Sequence, residues 1–282
     1  MKEIILLPLI ATVGFASLVE KEIAYEIDGK AFAGRLIYDK SEVENPTTAA
    51  DQSPVAATNS KGTAQLPGIV FFPNWMGPET AATLEKAHEV ASAGFAVFIA
   101  DMYSVDVRPT NAGEASKAAG FVRSDRKLMR LRAQKAIDVF KELADEHPID
   151  SERTLAIGFC FGGGTVLELA RSGTDTINGA VSFHGDLMSP TLKADAEKVK
   201  IPLLILHGAD DPYVPQSDVQ TFIQVMQDAG VDDWNLVQFS GAVHSFTDPT
   251  AQSEGARYHA RTAKRAFGMM DDFAEEVLGL SE

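Results

Sequence analysis

The chain has 282 residues, 45% of them hydrophobic, and a formal net charge of −15, which describes a globular protein large enough to bury a substantial core. This acidic excess, with no basic patch to offset it, argues against binding to nucleic acid or to an anionic membrane surface. The single cysteine excludes an intramolecular disulfide, so it is either a small buried apolar residue or a reactive thiol.

The first seventeen residues have the pattern of a secretory signal peptide. A lysine precedes an apolar run from Ile4 to Val13, and small residues follow around Ala16. The run is shorter than the roughly 20 residues that a membrane-spanning helix needs. We expect residues 1–17 to be a leader, which predicts a periplasmic or secreted protein if it is cleaved and a cytoplasmic one otherwise. A buried N-terminal strand would be equally apolar and is the alternative.

Two strands and a polar segment follow the leader. Residues 18–39 alternate apolar and polar side chains on either side of Asp28-Gly29, which predicts a β-hairpin. Residues 41–65 are poor in large apolar side chains and rich in Ala, Thr, Ser, Pro and Asn, which is typical of a flexible insertion.

From Pro67 onward, short apolar runs alternate with segments of helical periodicity. The runs predict strands at 68–72, 96–100, 154–159, 179–183, 202–206 and 235–239. The predicted helices are 79–93, 125–146, 161–171, 216–229 and 255–278. Continuous apolar strands separated by helices predict a doubly wound, mostly parallel α/β sheet with helices on both faces. Residues 18–282 are therefore expected to form one domain, whose site lies at the carboxyl ends of the strands.

Cys160 lies where the predicted strand "RTLAIGF" meets the predicted helix "FGGGTVLELA". The spacing Gly158-x-Cys160-x-Gly162 reproduces the GxSxG nucleophile elbow with cysteine in place of serine. Flanking glycines allow the tight turn that raises the nucleophile above the sheet, and the helix dipole favours a thiolate. The alternative is a buried core cysteine in a glycine-rich turn.

A cysteine nucleophile needs a histidine base and a carboxylate that orients it, in the chain order nucleophile, acid, histidine. "HGADDPYVP" supplies Asp210 and Asp211 after one strand, and "SGAVHSF" supplies His244 after the next. We favour Asp211 over Asp210, because Asp211 begins the loop facing the cleft and Asp210 is placed to brace the turn.

The other histidines have simpler explanations, since they fall in helices, at a helix end, or at strand ends before glycine: His88, His147, His184, His207 and His259. No paired spacing typical of metal ligands is present, and neither a metal nor another cofactor is predicted.

The oxyanion hole of such a site needs a second N–H from the loop after the first core strand. "FFPNWMGPET" follows that strand, so the backbone of Trp75 is the predicted donor beside that of Phe161. The alternative is a plain turn with a buried tryptophan.

Over about residues 19–278 the sequence resembles the dienelactone hydrolase family of α/β-hydrolases. The motifs that carry the resemblance are "GFCFGG", "HGADDPYVP", "GAVHSF" and "PNWMG". The resemblance implies an α/β-hydrolase fold, a Cys160, Asp211 and His244 triad, and hydrolysis of a small-molecule lactone or ester through an acyl-enzyme on sulfur. It also implies Trp75 as the second oxyanion donor.

Two positions depart from the family pattern. Asn74 stands where dienelactone hydrolases carry a glutamate that helps generate the thiolate, so activation is expected to rest on His244 and the helix dipole. Asp248 replaces an arginine that binds the substrate carboxylate, which argues against an anionic dienelactone as substrate.

Three residues are candidates for substrate contact: Asn74, Arg108 and Phe246. Arg108, or the arginines 123, 126 and 130, could replace the missing substrate-binding arginine, although charges on a helix surface are the commoner case.

The same triad would serve a thioesterase or an acyltransferase. A redox-active thiol protein would need only a low-pKa Cys160, and a binding protein on a hydrolase scaffold would need no triad. The sequence leaves open whether the protein is a monomer or a dimer.

Overall fold

The computed structural model describes residues 17–44, 57–58 and 63–280. The predicted leader, residues 1–17, therefore lies outside the described residues except at its last position. Only parts of the predicted insertion at 41–65 are described, and these include a short helix and a two-residue strand.

Nine strands occur in the described residues, and eight of them follow one another across a sheet in the order β1-β2-β5-β4-β6-β7-β8-β9, while β3 pairs with β4. Their bounds are β1 Leu18–Ile27, β2 Lys30–Asp39, β3 Ala57–Thr58, β4 Ala64–Phe72, β5 Ala96–Ile99, β6 Ile149–Phe159, β7 Gly179–Phe183, β8 Leu203–Gly208 and β9 Trp234–Phe239. The hairpin predicted at Asp28-Gly29 is confirmed, because β1 and β2 are antiparallel neighbours. Strand β2 is also antiparallel to β5, and the pairs from β5 to β9 are parallel.

The helices are α1 Lys40–Glu44, α2 Ala81–Ser92, α3 Ala112–Ser124, α4 Arg126–Glu142, α5 Phe161–Arg171, α6 Leu192–Asp195, α7 Gln216–Asp228 and α8 Ala260–Leu278. The five predicted helices are all present, with α8 beginning later than expected. Helix α3 was not predicted, since its alanine- and glycine-rich sequence has a weak apolar stripe. No helix within the described ranges is long and apolar enough to cross a membrane.

Helices cover both faces of the sheet, as the continuous apolar strands predict. On β4, Val70 and Phe72 belong to one buried cluster, which includes residues of α3, α4, α5 and α7. Ile69 and Phe71 belong to the other, which includes residues of α2 and α8. Successive side chains of a strand point to opposite faces, so a strand buried on both sides has to be apolar throughout.

The parallel strands bring the predicted triad to one edge of the sheet. Cys160 directly follows β6, Asp211 follows β8, and His244 follows β9. Parallel strands have their carboxyl ends on the same edge, so residues separated by 84 positions in the sequence meet there.

Candidate active site

Cys160 sits on a strained turn between β6 and α5, with φ 55° and ψ −113°. Its backbone N–H donates to the carbonyl of Phe183 at 3.0 Å, which anchors the turn to the neighbouring strand. A Cβ at Gly158 would lie 2.1 Å from the Gly162 carbonyl oxygen, and a Cβ at Gly162 would lie 1.9 Å from the Phe72 carbonyl oxygen. The glycines are therefore required by close backbone approach, as expected for a nucleophile elbow.

Asp211 and His244 form the predicted pair. His244 Nδ1 is 2.7 Å from Asp211 Oδ2, and the Asp211 side chain is fully buried. The other oxygen, Oδ1, accepts a hydrogen bond from the backbone N–H of Tyr213 at 2.8 Å, which fixes the carboxylate. Asp210 points elsewhere, and its Oδ2 accepts from the backbone N–H of Gly241 at 3.1 Å. The structure thus pairs His244 with Asp211 and uses Asp210 to brace the turn, as expected.

The hydrogen bond between Cys160 and His244 favours a thiolate and imidazolium pair. Burial raises the pKa of Cys160, but the hydrogen bond to His244, the charge of His244, the N–H of Phe161 and the charge of Arg123 together leave this pKa below its ordinary value. Burial lowers the pKa of His244, while its hydrogen bonds to Asp211 and Cys160 raise it to about 10. Opposite shifts in two hydrogen-bonded groups are typical of an activated nucleophile.

The loop after β4 presents a free backbone donor beside the elbow. The side chain of Asn74 accepts a hydrogen bond from the N–H of Met76 at 2.9 Å, and the backbone carbonyl of Asn74 accepts one from the N–H of Gly77 at 3.0 Å. Among the described residues, nothing accepts a hydrogen bond from the Trp75 N–H. The Phe161 N–H, at the first turn of α5, lowers the pKa of the adjacent Cys160 thiol. Two N–H donors beside a nucleophile can bind an oxyanion.

Cys160 and His244 open into a cleft of about 710 Å³. This volume suits a small organic ligand. Two of the aromatic side chains that line it, those of Trp75 and Tyr213, are exposed to solvent. Its lining mixes apolar and uncharged polar side chains with those of Arg123, Asp186 and Asp248.

Of the three predicted substrate contacts, the structure places only Asn74 in the cleft. Arg108 lines a different cavity, where its guanidinium pairs with the buried Asp101 at 2.9 Å and with Glu79 at 3.0 Å. Phe246 is fully buried and packs edge-to-face on His184. The structure therefore places neither Arg108 nor Phe246 in the cleft: one side chain is paired with carboxylates, and the other is part of the core.

Arg123 is the arginine that does line the cleft, and it lies on the unpredicted helix α3. Its guanidinium is over the Phe161 ring at 5.7 Å and its Nε is 4.0 Å from Asp186 Oδ2. Arg126 pairs with Asp186 at 3.7 Å and with Glu168, and Arg130 pairs with Glu168 and Asp195, but neither arginine lines the cleft. The sequence offered these three arginines without a means of choosing among them, because the choice depends on how α3 packs.

His184 packs against the pair formed by Asp211 and His244, with its ring 5.1 Å from that of His244. Its Nε2 is 2.9 Å from the hydroxyl of Thr247, which agrees with the structural hydrogen bonding expected of this residue. Burial holds the pKa of His184 well below its ordinary value, so it is a neutral neighbour of His244. Within the described residues, no group of three or more histidine, cysteine or acidic side chains is placed to hold a metal ion.

A nucleophile elbow after a central parallel strand, with an acid and a histidine after later strands, defines an α/β-hydrolase. Comparison with known proteins agrees. The model of the dienelactone hydrolase family matches residues 54–278, and the chain belongs to this family. As a member it is a carboxylic ester or lactone hydrolase.

Individual relatives cover most of the chain. P91, a dienelactone hydrolase-like promiscuous phosphotriesterase from metagenomic libraries, is 29% identical, with a TM-score of 0.76 over 93% of this chain and 99% of its own. The structure of m3DLH is also 29% identical, with a TM-score of 0.75 over the same shares. Protein usf of Aquifex pyrophilus is 26% identical over 216 residues, which make up 75% of this chain and 89% of the relative.

Proposed function

We propose that this hydrolase cleaves its ester or lactone with Cys160 as the nucleophile, through a thioester acyl-enzyme. The observation that carries the proposal is the 2.7 Å hydrogen bond between His244 and Asp211 in the cleft that Cys160 also lines, with His244 lowering the pKa of Cys160. Because Nδ1 of His244 is bonded to Asp211, Nε2 is the ring nitrogen left for the cysteine.

In the acylation step, His244 holds the proton of Cys160 and the thiolate attacks the substrate carbonyl carbon. The carbonyl electron pair moves to oxygen, and the N–H groups of Trp75 and Phe161 bind the resulting oxyanion, each contributing about 3 kcal/mol. The imidazolium then donates its proton to the leaving alkoxide as the carbon–oxygen bond breaks.

In the deacylation step, His244 takes a proton from water as the water oxygen attacks the thioester carbonyl. The same two N–H donors stabilise the tetrahedral intermediate, which collapses by breaking the carbon–sulfur bond. The carboxylic acid leaves and the thiolate of Cys160 is restored, so no external reductant or oxidant is needed.

We expect a small substrate that is not an anionic lactone. Asp248, in place of the arginine expected at this position, adds a second carboxylate to the cleft that Asp186 also lines. Arg123 lines the same space and is its one arginine or lysine side chain among the described residues. The net charge of −15 also disfavours anionic substrates at long range. We therefore expect neutral esters and enol-lactones to be preferred.

The experiment measures hydrolysis of p-nitrophenyl acetate and of a neutral enol-lactone by the wild type, Cys160→Ala, His244→Ala and Asp210→Asn, with intact-mass detection of an acyl adduct. We expect both alanine variants to lose turnover and Asp210→Asn to keep it, with an adduct of acyl mass that requires Cys160. Turnover that survives in Cys160→Ala would contradict the proposal. Adding a thioester substrate and an alcohol acceptor separates a hydrolase from a thioesterase or acyltransferase.

We further propose that residues 1–17 direct export, on the composition of that segment alone. Expression with and without this segment, followed by the intact mass of the protein in the periplasmic fraction, tests it. A full-length mass found in the cytoplasmic fraction would contradict export.

A further inference from the structure

Tyr103 contacts both residues that supply the oxyanion donors, and no step described so far uses it. It lies in the bend after β5, is 4% exposed, and follows the buried carboxylate of Asp101 by two positions. Its hydroxyl donates to the carbonyl of Trp75 at 2.9 Å. Its ring lies 5.5 Å from the ring of Phe161.

The bond to the Trp75 carbonyl completes the fixation of the donor loop. The peptide between Trp75 and Met76 is held at its oxygen by Tyr103 and at its N–H by the side chain of Asn74. With both ends of this peptide fixed, the preceding peptide, whose N–H is the Trp75 donor, cannot rotate freely. A donor that is already oriented needs no reorganisation when negative charge develops on the substrate oxygen.

Tyr103 is itself rigidly held. Its backbone N–H donates to Asp101 Oδ1 at 2.9 Å, and the same oxygen accepts from the N–H of Ser104 at 3.2 Å. Asp101 Oδ2 accepts from the backbone N–H of Ala33 at 3.1 Å and from Arg108 Nη2 at 2.9 Å. Arg108, predicted to bind substrate, thus helps to fix the bend that carries Tyr103.

Ser104 adds an independent sign that this bend is held in place, because it has φ 95°, which non-glycine residues rarely adopt. Such strain persists only where the surroundings enforce it. Burial raises the pKa of Tyr103, so the hydroxyl stays protonated and able to donate to Trp75 at any pH at which the enzyme works.

We propose that Tyr103 is the positioning residue of the oxyanion hole, aligning the Trp75 donor through its hydroxyl and supporting the Phe161 donor through its ring. The inference rests on the proposed function, because the oxyanion forms only if a thiolate adds to a carbonyl. Tyr103 does not touch the reacting atoms: it acts through the two backbone N–H groups.

The test compares Tyr103→Phe with Tyr25→Phe. The Tyr25 hydroxyl also donates to a backbone carbonyl, that of Asp101, at 2.9 Å. The same Tyr25 hydroxyl also accepts from the Asp101 N–H at 3.2 Å, so Tyr25→Phe loses two bonds to the Asp101 backbone and should lose at least as much thermal stability as Tyr103→Phe. The Asp101 carboxylate keeps its bonds to the N–H groups of Tyr103 and Ser104 in this variant. Only Tyr103→Phe frees the Trp75 carbonyl.

Three measurements separate the oxyanion hole from the nucleophile: kcat and KM for p-nitrophenyl acetate, the inhibition constant of an aryl trifluoromethyl ketone, and the rate at which iodoacetamide alkylates Cys160. Addition of the thiolate to the ketone forms a carbon–sulfur bond and places negative charge on oxygen, whereas alkylation displaces iodide and forms no oxyanion.

For Tyr103→Phe we expect kcat to fall roughly 10-fold and the inhibition constant to rise by a similar factor, because one oxyanion donor is misaligned rather than removed. KM and the alkylation rate should stay unchanged, and Tyr25→Phe should resemble the wild type in all three. Tyr103→Leu, which also removes the ring from Phe161, should lower kcat further.

Equal kcat values for Tyr103→Phe and Tyr25→Phe would overturn the proposal, and so would an alkylation rate that falls along with kcat. A Tyr103→Leu variant no slower than Tyr103→Phe would overturn the role given to the ring. Wild-type turnover that persists in Cys160→Ala would overturn the proposed function instead, so the two failures are distinguishable.

Discussion

Gly162→Ala tests why the elbow needs glycines: because neighbouring backbone lies too close for a Cβ, or because the turn has to be flexible. The new Cβ would lie 1.9 Å from the Phe72 carbonyl oxygen, about 1.5 Å closer than the 3.4 Å at which ordinary contacts begin. Backbone cannot rotate away as a side chain can, so β4 and α5 have to separate. Overpacking of this kind costs about 1–3 kcal/mol of the free energy of unfolding.

Separating β4 from α5 should also lower the rate of catalysis, because Phe72 is the last residue of β4 and leads into the loop that carries the Trp75 donor. A misplacement of about 1 Å at a catalytic group can lower the rate about 100-fold. We therefore expect Gly162→Ala to lose both stability and about two orders of magnitude in kcat.

Gly164→Ala is the matched control, since it changes the same residue type two positions further along α5. Its Cβ would meet nothing closer than 3.4 Å, at the Asp186 Cβ. Alanine is a better helix former than glycine by about 1 kcal/mol, so this variant should be at least as stable as the wild type. Urea unfolding and p-nitrophenyl acetate kinetics measure both effects. The reasoning is refuted if Gly162→Ala matches Gly164→Ala in unfolding free energy and in kcat.

Three further predictions follow from the pKa shifts and from α3. The rate of hydrolysis should rise with pH through the lowered pKa of Cys160, because the thiolate forms there. It should fall above about pH 10, because His244 then loses the proton that the leaving group needs. A stopped-flow pH profile with a single limb would contradict the ion pair of Cys160 and His244. Asp211→Asn should move the alkaline limb to lower pH, because an amide does not stabilise an imidazolium, whereas Asp210→Asn should leave the limb in place. Gly120→Ala should raise the unfolding free energy by about 1 kcal/mol, because the position is in mid-helix with open space around a new Cβ, and an unchanged or lower urea midpoint would contradict this.

Local patterns in the sequence predicted eight of the nine strands in the described residues and the elbow, and missed only the two-residue strand β3. The positions of β7 and α5 were predicted to the residue, because continuous apolar runs and the turn at Cys160 leave few alternatives. The edge hairpin was predicted as well, from alternation on either side of a two-residue turn. Helix α3 was missed because its small residues carry little apolar periodicity, yet it supplies the cleft with Arg123.

The sequence by itself determined the sheet, the elbow and the chain order of Cys160, Asp211 and His244, because these depend on short-range spacing and on the shared direction of parallel strands. Only the tertiary structure decided which side chains meet across long separations. It pairs Arg108 with a buried carboxylate, buries Phe246 in the core, and sets Tyr103 against a carbonyl 28 residues away. Such contacts depend on how elements pack against one another, and no local pattern of residues specifies that.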